Sequence, residues 1–123
     1  MSIFIDDSTV AEFKRDLKKL CKKYRYLEQD LEIAKKVLRC LPENRNLVVR
    51  ISDLGREVKV PIYKLKKFRS RDFKGRGARS GFRIIYAYEH AENKVTFIEI
   101  YHKNSKNSED RKRILKYFRS RML

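Results

Sequence analysis

Residues 63–101 read YKLKKFRSRDFKGRGARSGFRIIYAYEHAENKVTFIEIY. Within this stretch FRIIYAYE (82–89) and KVTFIEIY (94–101) are two strand-like runs joined by a tight HAEN turn, the pattern of a β-hairpin. Successive strand residues point to opposite faces, so Phe82, Ile84, Tyr86 and Tyr88 share one side and Arg83, Ile85, Ala87 and Glu89 the other. Upstream, Val58–Phe68 is also β-rich, with Tyr63 and Leu65 opposite Lys64 and Lys66. Pro61 inside that run argues for an edge position or a bulge. Between the two regions, residues 69–80 form a long basic loop with Gly75 and Gly77. The cations from Tyr63 to Arg83 are Lys64, Lys66, Lys67, Arg69, Arg71, Lys74, Arg76, Arg79 and Arg83, against the single acid Asp72. A sheet carrying that charge beside Phe68, Phe82 and Tyr86 is expected to meet a polyanion.

The flanks supply the support for such a sheet. Ile3–Ile5 suits a short first strand at an edge, followed by Asp7 or Ser8 as a helix cap with Glu12 in the first turn. Val10, Phe13, Leu17, Leu20, Tyr24, Leu27, Leu31, Ala34, Leu38 and Leu41 then recur at steps of three and four, the stripe of an amphipathic helix. One helix over residues 9–41 would be about 50 Å long. A helix pair broken within KKYRYLEQ fits a domain of this size better, with a dimeric coiled coil as the rival. Pro42 and the polar ENRN end the helical region. Leu47–Ile51 suits a short strand, Ser52–Gly55 a turn, and Ser108–Asp110 the start of a C-terminal helix bearing Ile114, Leu115, Tyr117, Phe118 and Met122. The expected fold is a single α+β domain. It has a small, mostly antiparallel sheet of about four strands, an N-terminal helix hairpin on one face, a C-terminal helix, and the other face left open.

Composition narrows the function. The chain has 123 residues, enough for one compact domain, and 32 Lys+Arg against 16 Asp+Glu give a net charge of +16. A two-to-one sign bias calls for an acidic partner, nucleic acid or acidic protein. No apolar run reaches membrane-spanning length, and the start MSIFIDDSTV lacks the pattern of a signal peptide, so a cytoplasmic protein is expected. Cys21 and Cys40 are too few for a disulfide framework, and with the two histidines they form no zinc-like spacing.

Alternation places Lys64, Lys66 and Arg83 on one face if the apolar set packs on the helices. That is a constellation suited to a phosphate. Together YKLKKF, SGFRIIYAY and KVTFIEIYHKN resemble the RelE/ParE superfamily of toxins from toxin–antitoxin pairs, and within it the RelE/HigB type. The resemblance follows the whole chain in element order and centres on Tyr63–Asn104. It implies a metal-independent endoribonuclease that needs no cofactor, cleaves messenger RNA, often on the ribosome, and is held inactive by a cognate acidic antitoxin. Residue by residue, it assigns catalytic or phosphate-contacting roles to Lys64 and Lys66 on the Y-K-x-K strand and to Arg83 on the S-G-F-R strand. Further basic or acid–base groups come from Tyr101, His102, Lys103, Asn104 and Lys106 at and after the last strand. The chain departs from the pattern in the length of the 69–80 loop and in carrying Asn104 where an arginine is common. For the C-terminal tyrosine of some members it offers only Tyr117.

The chemistry of RNA cleavage by the 2′-hydroxyl asks for a base, a phosphate clamp and an acid. Arg83 fits the clamp, because its fork can bind two phosphate oxygens. A lysine crowded by other cations has a depressed pKa and can act as base, which points to Lys64 or Lys66. His102 titrates near neutrality and suits the acid. Alternation with Ile98 and Ile100 would instead turn it toward the core, leaving Glu99, Tyr101 and Lys103 beside Arg83. The expected catalytic set is Lys64, Lys66, Arg83, His102 and Lys103. Lys67, Arg69, Arg71, Lys74, Arg76, Arg79, Tyr101 and Lys106 are expected to contact RNA. Two rival readings are a ParE-like toxin that binds gyrase, and a non-catalytic RNA-binding module on the same fold.

Overall fold

The hairpin is the centre of the sheet. In the computed structural model, which describes residues 2–73 and 75–121, β4 (Phe82–Glu89) and β5 (Lys94–His102) pair antiparallel along their length. Their connection is a single helical turn, His90–Glu92, closed by Asn93 in the left-handed region at φ 49°. Around the hairpin lie β1 (Phe4–Asp6), β2 (Val48–Ile51) and β3 (Ile62–Leu65), giving five strands in the order β1-β5-β4-β3-β2. All neighbours are antiparallel except β1 and β5. The fold is therefore α+β, with one strand more than expected. Pro61 sits just before β3, which is an internal strand and not the expected edge; its carbonyl accepts the Tyr88 N–H at 3.0 Å, and at the strand's start its missing N–H is tolerated.

Helices α1 (Ala11–Cys21) and α2 (Leu27–Cys40) form the expected hairpin. Neither Gly nor Pro marks the break because its support is tertiary. The Asp72 carboxylate, 46 residues away, accepts the backbone N–H of Tyr26 at 3.1 Å, just where α2 begins. The entry to α1 differs from expectation: Asp6, not Asp7 or Ser8, gathers the N–H groups of Ser8 and Thr9 at 2.9 and 3.0 Å. Phe13, Leu27, Leu31 and Leu38 are buried against the sheet face that carries Phe82, Ile84, Tyr86 and Phe97. The rings of Phe13 and Phe97 are 5.2 Å apart. Each such side chain contributes roughly 1.5–3 kcal/mol by burial.

The other face is only partly open, which corrects the expectation of a bare surface. Helix α3 (Arg111–Arg121), entered through Asp110, crosses it and buries Ile114, Tyr117 and Phe118. Arg113 ties α3 to Asp16 of α1 at 2.5 Å and to the Ile98 carbonyl at 3.1 Å. Ile98 is the extra residue of a β-bulge, since Ile85 pairs with Glu99 and Tyr86 with Phe97. Among the described residues no helix is long and apolar enough to cross a membrane, and Cys21 and Cys40 are free thiols.

Candidate nucleic-acid interface

Register sets the residues of the face opposite the helix hairpin in two rows across the sheet. Lys64 pairs with Val49 and Ile85, and Ile85 with Glu99, which makes the row Val49–Lys64–Ile85–Glu99. Two residues toward the open end, Arg83 pairs with Tyr101, and the Lys66 N–H donates to the Leu47 carbonyl at 3.0 Å. This outer row is Leu47–Lys66–Arg83–Tyr101. Lys64, Lys66 and Arg83 thus stand on the same face.

The two rows differ in what surrounds them. The outer one opens into a cleft of about 370 Å³, lined by Arg45, Lys66, Lys67, Arg79, Arg83 and Lys103 with Asn46, Gly81, Leu47 and the β2 residues Val48 and Val49. That volume lies within the range of about 300–1,000 Å³ typical of ligand sites. No acid lines it, and none of its cations has a carboxylate within 4.0 Å among the described residues. Arg83 is steadied by bonds from its guanidinium to the Phe82 and Lys66 carbonyls at 3.2 and 3.4 Å. Its remaining donors are left for an anion.

Lys64, by contrast, is engaged. Its ammonium lies 2.7 Å from the Glu109 carboxylate, in the segment that leads into α3. Burial alone would lower the pKa of Lys64, but the bond to Glu109 and the Tyr101 hydroxyl beside it outweigh burial and raise it. Glu109 is shifted down in turn, burial opposing and the Lys64 ion pair prevailing. The expectation that Lys64 acts as a base is corrected: an adjacent carboxylate holds it protonated.

His102 is also placed away from the cleft. It is fully buried on the core side, its ring 4.8 Å from that of Phe73 and 5.0 Å from that of Phe82. Nε2 lies 2.9 Å from the Ser80 carbonyl, and Nδ1 accepts the Asn104 N–H at 3.1 Å. One nitrogen donates and the other accepts, which is the neutral imidazole. Burial lowers its pKa, with Lys103, Arg83 and Lys23 pushing the same way against the bond to Ser80. His102 is therefore no exposed acid; it fixes the backbone on either side of the cleft lip. Gly81 makes this close approach possible, because at φ +96° a Cβ would stand 2.7 Å from His102 Nε2.

The remaining expected contacts divide. Lys66, Lys67, Arg79, Arg83 and Lys103 converge in the cleft. Tyr101 is buried beneath the Lys106 ammonium, 5.1 Å from the ring centre, and Lys106 pairs with Glu99. Neither is placed to stack on a base. Arg71 is clamped to buried Asp30 by its backbone N–H at 3.0 Å and its Nε at 3.3 Å. Arg76 lies over Phe73, and Arg69 is exposed beside Gly77. Lys74 and Met122 lie outside the described residues. Phe68 and Phe82 are core residues, and His90 is half-exposed and bonded to Glu43. Arg45 and Asn46 were not expected. The available signal was a basic residue two places before a strand that pairs with YKLK.

Among the described residues no group of His, Cys, Asp or Glu gathers that could hold a metal ion. Comparison with protein-family models, with curated proteins and with solved structures found no match.

Proposed function

We propose that this protein is an endoribonuclease of the RelE/HigB kind, the toxin of a toxin–antitoxin pair, acting on messenger RNA at the ribosome from the cytoplasm. The observation that carries the reading is the acid-free cleft in which Arg83 on β4 meets Lys66 and Lys103, the residues just past the ends of β3 and β5. A phosphodiester entering it would be held by the Arg83 fork. Attack of the 2′-oxygen on phosphorus breaks the bond to the 5′-oxygen and leaves a 2′,3′-cyclic phosphate and a 5′-hydroxyl. The cations of the cleft stabilise the charge that builds on the phosphorane. Lys66 and Lys103 replace Lys64 and His102 as the groups that handle the two protons. An acidic antitoxin would be drawn to the same surface, since an extended acidic segment neutralises what RNA neutralises.

A second reading is favoured by a specific observation. With His102 buried and Lys64 paired, the charged groups that line the cleft are all lysine and arginine, with no histidine or carboxylate beside them. A non-catalytic RNA-binding module meets that description. Addition of the protein to a translating lysate, followed by mapping of messenger 5′ ends, separates the two. New ends that vanish with Arg83→Ala support the ribonuclease. Intact messenger that co-purifies with the protein supports the binding module. Inhibited gyrase supercoiling, with neither effect on RNA, supports a ParE-like toxin instead.

A further inference from the structure

We infer that the outward face of α1 is a docking surface for the phosphate backbone of helical RNA, a second anchor beside the cleft; this rests on the reading of the partner as RNA. Lys14, Arg15, Lys18, Lys19 and Lys22 are all exposed. At 3.6 residues per turn they fall within an arc of about 140°. Phe13, Leu17 and Leu20 hold the opposite arc, packed in the core. The acids of the helix stand at the border and are consumed by α3: Asp16 by Arg113 at 2.5 Å, Glu12 by Lys116 at 3.1 Å. Among the described residues none of the five cations has an acidic partner. Like charges one turn apart weaken a helix. Helix α2, by contrast, balances Glu28, Asp30 and Glu32 in its first half with Lys35, Lys36 and Arg39 in its second, and Glu32 pairs with Lys35. An all-positive face that opposes its own helix points to a polyanion.

The kind of polyanion follows from what the face lacks. It presents no large apolar side chain, and a protein partner needs apolar anchors at the centre of its interface. It presents no free aromatic ring either, and single-stranded RNA is gripped by stacking: Tyr24 is buried, and Tyr26 lies under Arg25 and Arg71. What remains is a straight row of charges, suited to a rigid helical backbone read by shape and phosphate. Just past the end of the row, the Tyr24 ring stacks 5.8 Å from that of His102, which packs against Gly81 of the cleft lining. A duplex on α1 would thus run past the place where a single strand enters.

The test uses the whole protein, the variant K14Q/R15Q/K18Q/K19Q/K22Q, and Arg83→Ala, each checked for retained helix by circular dichroism. Binding of an RNA hairpin stem and of an unstructured 2′-O-methyl RNA is measured against salt. The five-fold variant is expected to lose a slope of about 3.5–4.5 in log K against log salt for the stem. Its binding of the single strand should hold, and Arg83→Ala should show the reverse. An unchanged stem slope in the five-fold variant overturns the inference, as does a wild-type protein that does not bind the stem. Polyglutamate displacing the stem as well as an equal charge of RNA also overturns it, in favour of an acidic protein. If stem binding falls in the five-fold variant while Arg83→Ala still grips the single strand, the α1 surface stands and the cleft reading falls.

Discussion

Lys64 and Lys66 lie two residues apart on one strand and one face, yet they stand in opposite situations. Lys64 is largely covered and paired with Glu109; Lys66 is exposed at the edge of a cleft whose charged lining is all cationic. Strand alternation treats them as equals. The segment 104–110, which enters from the far end of the chain, decides between them by placing one carboxylate over the inner row and none over the outer. Availability of a cation is thus a tertiary property, and the contrast between the two rows can be tested directly.

The cleft should show the greatest sensitivity. Arg83→Ala removes the clamp and is expected to lower RNA cleavage by about 10²–10³, in line with loss of one preorganised donor. Its thermal melting should stay near that of the wild type, because Arg83 makes only two long bonds, both to backbone carbonyls, and no ion pair among the described residues. Cleavage rates and a melting curve on the same preparation check this. Lys66→Ala should weaken RNA binding, while Lys64→Ala should act on stability more than on binding.

Breaking the inner row should appear as a loss of stability. Glu109→Gln leaves Lys64 charged and half-buried without its partner, at a cost of about 1–3 kcal/mol in denaturant titrations. Lys64→Met with Glu109→Leu should recover most of it, since two apolar groups leave no charge unpaired. The pair also predicts a pH window. Glu109 is held below its ordinary 4.5 and Lys64 above its ordinary 10.5, so their stabilisation is complete between those values. It is lost as pH falls through the lowered Glu109 value and as pH rises through the raised Lys64 value. In Glu109→Gln both flanks should flatten.

The lip of the cleft supplies two smaller effects. Gly81→Ala forces a side chain into a left-handed position and against His102, and is expected to cost about 1–3 kcal/mol by chemical denaturation. His102 is neutral and bonded in the fold, with a pKa below its ordinary 6.5. The unfolded chain binds that proton more readily, so stability present above 6.5 should decline as pH falls toward the lowered folded value. His102→Gln should remove that slope in melting curves taken between pH 7 and pH 5.

Much of this arrangement was legible in the chain. The alternation of Phe82–Glu89 placed Arg83 opposite the core, and Ile100 carried His102 inward as parity required. The hairpin and the C-terminal helix follow from local pattern, whereas the helix break follows only from the length of the apolar stripe set against the size of the domain. What was not legible depends on partners remote in sequence. Asp72 sets the start of α2 from a loop 46 residues away, and Glu109 takes Lys64 out of play from beyond the last strand. Arg45 enters the cleft only because β2 pairs with β3. Glu12 and Asp16 turn toward α3, so the charge asymmetry of α1 emerges only once α3 has docked.

The central claim is that the outer row grips an RNA phosphate and the inner row does not. NMR titration of the protein with an uncleavable 2′-O-methyl RNA reads both at once. The account predicts that the Arg83 Nε–H signal and the backbone amides of Lys66, Gly81 and Lys103 shift together and saturate at one RNA per protein, with those of Lys64 and Glu109 nearly still. Shifts at Glu109 and Lys64 with Arg83 unmoved would contradict it.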